Sequence, residues 1–187
     1  MRRIVRFGLC VLLITGYSLL VSACAMPGDA ASIVKIGVIA PFEGAGRLLG
    51  YAVLPAIKAA AAEANASGAL GRYQVLVVAF NDDLYGPTAA AQAQALALDP
   101  EVLAVVGPWS AETVAAAAPI LAAADLPVLT SAGTSVPPPG EKWGDAALAE
   151  AAARAGNDVR LLLAALAADI RAHGRPTRGG VGTALKK

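Results

Sequence analysis

The chain has 187 residues, of which 57% are apolar and 16% charged, with a formal net charge of +1. This length fits one or two small domains. The apolar content excludes disorder throughout the chain, and the small net charge gives no electrostatic case for nucleic-acid binding. Both cysteines, Cys10 and Cys24, lie near the start, which excludes a disulfide framework or a cysteine metal site from the rest. We expect neither a cofactor nor a metal.

Residues 1–23 have the three parts of an export signal. Three arginines form a basic region, the run 7–20 is apolar, and small residues follow it. The sequence Val-Ser-Ala-Cys at 21–24 resembles a bacterial lipobox, which implies cleavage before Cys24 and lipidation of its sulfur. We therefore predict a signal peptide over 1–23, a tether over 24–31, and an exported lipoprotein at the cell membrane.

Two alternatives to the lipoprotein interpretation stay open. An ordinary secretory signal would be cut after Ala23 or Ala30. A permanent transmembrane helix is less favoured, because the apolar run is short and contains Thr15, Gly16 and Ser18.

Strand-like and helix-like segments alternate after the tether. Short runs rich in Val and Ile predict strands near 33–40, 74–80, 102–106 and 128–130, and the segments between them predict helices near 47–66, 87–98 and 110–124. This order predicts an α/β fold, a doubly wound three-layer lobe with a mostly parallel sheet.

The alternation stops after Ser135. The proline-rich stretch 136–144 is incompatible with a helix or a central strand, so we interpret it as a junction. Residues 145–172 predict a long helix with a break near 156–158, and Thr177 is placed to cap a last short helix. We expect segment 145–187 to pack back on the lobe, with Leu162 and Leu166 buried.

Polar loops follow the third and fourth predicted strands. The loops 107–111 and 130–135 leave the carboxyl ends of neighbouring strands, where open α/β sheets bind ligands. Ser110 is placed to cap the following helix, which is its simplest local interpretation.

Other polar groups give no case for an enzyme. Asp82 and Asp83 form an acidic pair without a third metal ligand in the sequence nearby, so we interpret them as a solvated loop. His173 is interpreted as a surface cation near a helix end. The Gly-x-Ser-x-Gly pattern is absent, and a nucleophilic cysteine is absent after Cys24. We therefore do not predict an enzyme.

Four motifs together resemble the N-terminal lobe of periplasmic leucine-binding-type proteins. They are Ile-Val-Lys-Ile-Gly-Val-Ile-Ala-Pro at 33–41, Asn-Asp-Asp at 81–83, Val-Val-Gly-Pro-Trp-Ser at 105–110 and Pro-Val-Leu-Thr-Ser-Ala-Gly-Thr at 127–134. The resemblance covers about 32–135. It implies the substrate-binding component of an ABC importer for branched-chain amino acids or similar solutes, acting with a membrane permease.

The resemblance also implies the ligand contacts. Backbone N–H groups of the loop 107–111 would bind the ligand carboxylate, with Trp109 as an apolar wall. Ser110 lies one residue before the family's usual serine position, which Ala111 occupies. The carbonyl of Ala132 and the hydroxyl of Thr134 would accept from the ligand ammonium group.

The sequence departs from this family after Ser135, where strands of a second lobe would follow. We therefore expect a truncated receptor with weak solute binding. The alternative is a membrane-tethered, receptor-derived lobe that binds no solute and acts as an interaction domain. A receiver-like domain has a similar strand and helix order, but neither its strand-end aspartate with a lysine partner nor an export-free start is present.

Overall fold

The computed structural model describes residues 31–130 and 143–187, and residues 32–187 form one compact unit. The export signal, Cys24, Ala132, Thr134 and most of the proline-rich junction lie outside the described residues. None of the helices described in these two ranges is long and apolar enough to cross a membrane.

The described elements alternate through the first lobe and end in two helices. The strands are β1 (Ser32–Ala40), β2 (Tyr73–Asn81), β3 (Val102–Val106) and β4 (Val128–Leu129). The helices are α1 (Arg47–Ser67), α2 (Gly86–Leu98), α3 (Ala111–Ala123), α4 (Asp145–His173) and α5 (Arg178–Ala184), and a short 3-10 turn covers Gly44–Gly46.

The four strands form one parallel sheet in the order β2-β1-β3-β4. One core joins the sheet to α1, α4 and α5, and a second core joins its other face to α2 and α3. Strand β3 is buried over its whole length because helices cover both faces. The predicted α/β class and the three-layer parallel arrangement are confirmed.

Helix α4 runs without the break that the sequence predicts near 156–158. A Cβ at Gly156 would lie 3.6 Å from the Cβ of Ala56, so this glycine sits where α1 and α4 pack closely. The close packing stabilises a helical glycine that local propensity alone disfavours. Leu162 and Leu166 are buried in the core, as expected.

Arg178 and Asp169 fix the turn between α4 and α5. The Arg178 guanidinium donates to four backbone carbonyls, those of Ala97, Asp99, Val102 and Ala124, at 2.7–3.1 Å. The buried Asp169 carboxylate accepts from the Thr177 N–H at 2.8 Å and lies 2.6 Å from His173 Nδ1. These contacts hold the last helix against the start of β3.

Asn65 at the end of α1 pairs with the outer strand β2. Its side-chain amide donates to the carbonyl of Val75 at 2.9 Å, and its oxygen accepts from the Val75 N–H at 2.8 Å. The side chain thus makes the pair of hydrogen bonds that a neighbouring strand would make.

Candidate functional site

The loops that follow β1 and β2 are joined by one side chain at the carboxyl edge of the sheet. Asn81 Oδ1 accepts from the N–H of Phe42 at 2.7 Å and from the N–H of Asp83 at 3.2 Å. The Asn81 amide nitrogen donates to Asp83 Oδ1 at 2.9 Å. This network ties the loop that follows β1 to the loop that follows β2.

The loop after β3 is tightly packed against the end of β1. Gly107 has a φ of 87°, and a Cβ there would collide with the carbonyl of Ile39 and with the Trp109 ring. Its N–H donates to the carbonyl of Leu129 at 2.9 Å, and the Gly107–Pro108 peptide is cis. Glycine is therefore required at the point where the chain leaves the sheet.

The indole of Trp109 lies in the core below this loop. The residue is only 1% exposed, and its Nε1 has no hydrogen-bond partner in the described part of the chain. The ring supports the loop from beneath. Its predicted role as a ligand-facing wall stays a prediction.

Ser110 caps α3 through a reciprocal pair of hydrogen bonds. Its Oγ accepts from the Thr113 N–H at 3.1 Å, and Thr113 Oγ1 accepts from the Ser110 N–H at 3.2 Å. The sequence identified Ser110 as a cap but missed Thr113, whose spacing of three residues is the available signal.

Two backbone donors stay open at this helix start. Among the described residues, no group accepts from the N–H of Ala111 or Glu112, and both residues are exposed. The Glu112 carboxylate accepts from the Gly86 N–H at 2.8 Å. Free N–H groups at a helix N-terminus bind anions, so the arrangement suits a carboxylate.

The interpretation of Asp82 as part of a solvated loop is wrong. Asp82 is fully buried, whereas Asp83 is exposed. Its Oδ1 accepts from the Leu84 N–H at 3.0 Å, while Oδ2 has no partner among the described residues. Thr113 lies beside the carboxyl, but its hydroxyl is already engaged with Ser110, so we assign it no hydrogen bond to Asp82.

Burial raises the pKa of Asp82 above its ordinary value, and the neighbouring Asp83 charge adds to this effect. The Leu84 N–H opposes the shift. The sequence could not separate the two aspartates, because the turn of the chain at positive φ over Asp83 and Leu84 decides which one points inward.

The structure brings Ser110 and Ala111 together at the start of α3, with Trp109 beneath them. Ala132 and Thr134 lie outside the described residues, so their place at the site stays a prediction. Groups of three or more His, Cys, Asp or Glu that fit a metal are absent from the described ranges.

These features define an α/β lobe with an anion-compatible helix N-terminus at the carboxyl edge of a parallel sheet. A family model described as periplasmic binding protein matches residues 33–147, more than half of the chain. The chain therefore belongs to the periplasmic binding protein family, a family of binding proteins rather than enzymes.

Solved structures of this family share the fold. A possible leucine/isoleucine/valine-binding protein from Rhodopirellula baltica is 30% identical with a TM-score of 0.51, over 56% of this chain and 28% of that one. A branched-chain amino acid transporter substrate-binding protein from Streptococcus pneumoniae, solved with isoleucine, is 28% identical with a TM-score of 0.50, over 58% and 30%. The chain thus spans less than a third of the length of these relatives. The comparison with curated proteins gave no match.

Proposed function

We propose that this chain supplies the N-terminal lobe of an extracytoplasmic substrate-binding protein that serves an ABC importer for branched-chain amino acids or similar solutes. The observation that carries this proposal is the start of α3, where the N–H groups of Ala111 and Glu112 are open beside a buried loop. The family membership and the isoleucine bound to the Streptococcus pneumoniae relative support the choice of solute.

The proposed contacts divide the amino acid between two loops. The carboxylate accepts from the backbone donors of Ala111 and Glu112, which the Ser110 cap holds in place. The ammonium group donates to the carbonyl of Ala132 and the hydroxyl of Thr134. Trp109 packs under the first loop. Its predicted role as an apolar wall requires that its ring, 1% exposed in this lobe, become accessible to the ligand side chain.

We expect weak binding by this chain alone. High affinity in a ligand pocket requires burial of most of the ligand surface, whereas one lobe covers one face and leaves the polar contacts in water. Each such hydrogen bond contributes about 1 kcal/mol net. The summed free energy of a few such hydrogen bonds is reduced by the entropic cost of immobilising the ligand. The remaining binding free energy corresponds to a Kd of about 1 mM at best.

Titration calorimetry of the soluble part of the chain, from Ala25 on, against leucine, isoleucine, valine and a mixed amino-acid pool tests this function. We expect weak heats with one branched-chain ligand that Thr134→Ala reduces. A sharp thermal unfolding transition, measured on each sample, controls for folding. Micromolar binding would refute the weak-binding expectation but support the receptor. If folded protein gives no binding heat with any of these amino acids, the result would favour the alternative, a tethered lobe that binds no solute and acts as an interaction domain.

We further propose that Cys24 carries the lipid anchor and that the chain works at the outer face of the cell membrane beside its permease. Two acyl chains suffice for stable anchoring, whereas one is marginal. Mass spectrometry of membrane-extracted protein is expected to find acyl mass on an N-terminal Cys24. A water-soluble form that begins at another residue would contradict the anchor.

A further inference from the structure

The two C-terminal helices return to the edge of the sheet at which the strands begin, here called the amino edge. The Tyr73 hydroxyl at the start of β2 donates to the carbonyl of Gly174 at 3.5 Å. Arg178 Nε donates to the carbonyl of Val102, the first residue of β3, at 2.9 Å. Lys186 lines a groove together with Pro127, which directly precedes β4. The amino edge therefore carries the residues that follow α4.

Four exposed cations on this edge form what we call the basic edge patch. None of them has a carboxylate partner among residues 31–130 and 143–187; they are Arg171, Arg175, Lys186 and Lys187. Arg175, Lys187 and His173 line one groove of about 670 Å³. The patch therefore presents several unneutralised charges on one surface.

Most carboxylates at the amino edge are already paired. Asp99 and Glu101 both contact the Lys35 ammonium, at 2.8 and 2.7 Å. The buried Asp169 is held by His173 and by the Thr177 N–H. The exposed Glu63, which lines a groove with Arg171, lies 3.6 Å from Arg160. Asp125 is the remaining exposed carboxylate near the described patch. The free charge of this edge is therefore mainly positive.

The opposite, carboxyl edge has the reverse balance. Its loops carry the exposed carboxylates Glu43, Asp83 and Glu112, against the single cation Arg47 in the same described loops and helix starts. The unit is thus electrostatically polar along the strand direction, with the candidate ligand site at the acidic edge.

We propose that the basic edge patch docks on the anionic phospholipid headgroups of the membrane to which the chain is tethered. Strand β1 starts at Ser32, so the chain enters the folded unit at the amino edge. The eight residues 24–31 extend at most about 28 Å, which keeps this edge close to the lipid. This inference rests on the proposed anchoring, and it directs the candidate site away from the bilayer.

Each Lys or Arg near an anionic membrane surface strengthens binding roughly fivefold. Loss of three cations is therefore expected to weaken docking by about a hundredfold. Because the Debye length falls to about 3 Å at 1 M salt, docking should disappear there while a lipid anchor persists.

Energy transfer in vesicles tests the proposal with the full chain. A donor dye is attached at Ala172→Cys on the amino edge or at Ala45→Cys on the carboxyl edge, and acceptors label the headgroups. Mass spectrometry first establishes whether Cys24 carries the lipid anchor, so that failure of the proposed anchoring is distinguished from failure of the proposed docking. If the leader is not cleaved, it holds the chain on the vesicle instead of the lipid anchor. The two natural cysteines are then replaced, as Cys10→Ser and Cys24→Ser, so that the dye reacts only with the cysteine introduced at position 172 or 45.

Vesicles of phosphatidylcholine with phosphatidylglycerol are compared with phosphatidylcholine alone. We expect phosphatidylglycerol to raise energy transfer at position 172 and not at position 45. The variant Arg171→Gln, Arg175→Gln, Lys186→Gln should lose this gain. The matched variant Arg47→Gln, Lys58→Gln, Arg154→Gln, which removes the same charge from exposed sites elsewhere, should keep it.

Four results would overturn docking. They are no gain with phosphatidylglycerol, an equal gain at both labels, equal losses in the two triple variants, and removal of the gain by inorganic phosphate at constant ionic strength. The last result would indicate a discrete phosphate site in the groove rather than a lipid surface.

Discussion

Substitution of two adjacent glycines in α5 is expected to give opposite effects on stability. A Cβ at Gly179 meets no atom within 4 Å, whereas a Cβ at Gly180 would collide with the Asp169 carboxylate. Alanine is favoured over glycine in a helix by about 1 kcal/mol. We therefore expect Gly179→Ala to be neutral or stabilising by up to about 1 kcal/mol.

The same gain at Gly180→Ala is outweighed by the displacement of Asp169. This carboxylate is buried, and moving it breaks its hydrogen bond to the Thr177 N–H. A hydrogen bond to a charged group contributes about 1.5–3 kcal/mol, and the displaced charge loses further stabilisation in a buried site. We expect a net destabilisation of about 1–3 kcal/mol.

Urea unfolding of the two variants measures the difference, with emission from the buried Trp109 and Trp143 as the signal. Asp169→Ala provides the second test. In that background the collision is removed, so Gly180→Ala should behave like Gly179→Ala. If the two glycine variants differ by less than about 0.5 kcal/mol in the natural background, the proposed role of Asp169 in holding the turn is incorrect.

Three further changes probe the core and the site. Leu162→Asp places a charge in the core and should destabilise the fold by about 3 kcal/mol or more, seen as a lower urea midpoint. Ser110→Ala removes the α3 cap and should cost about 1 kcal/mol in the same assay. The raised pKa of Asp82 means that the folded state resists its ionisation, so stability is greatest below the unfolded value of 3.8 and falls as pH rises through the folded value. Asp82→Asn should flatten this fall in a pH series of urea unfolding curves. The exposed Asp83→Asn, which removes only the smaller contribution of a neighbouring charge, should flatten it less; equal slopes in the two variants would contradict the assignment.

Local sequence patterns predicted most of the fold because they coincide with burial. Strand β3 has the predicted bounds, Val102–Val106, since a short run of Val and Leu between Pro100 and Gly107 permits little else. The predicted break at Gly156 was wrong because the contact of that residue with Ala56 is tertiary and leaves no mark in the local sequence.

The site was less predictable than the fold. Ser110 and its helix followed from capping preferences alone. The burial of Asp82 depends on backbone angles in the loop after β2, and the bridging role of Asn81 depends on the distance between two loops that are far apart in the chain. The burial of Asp82 and the bridging contacts of Asn81 are set only when the strands assemble into the sheet.

The pairing of Asn65 with Val75 has a consequence for the behaviour of the protein at high concentration. A parallel sheet with an uncovered outer strand offers its N–H and carbonyl groups to other molecules, which promotes edge-to-edge aggregation. Because the Asn65 amide already occupies both backbone groups of Val75 near the start of β2, an incoming strand would have to displace it before pairing there. A single side chain of helix α1 is therefore expected to hinder edge-to-edge association at this position of β2.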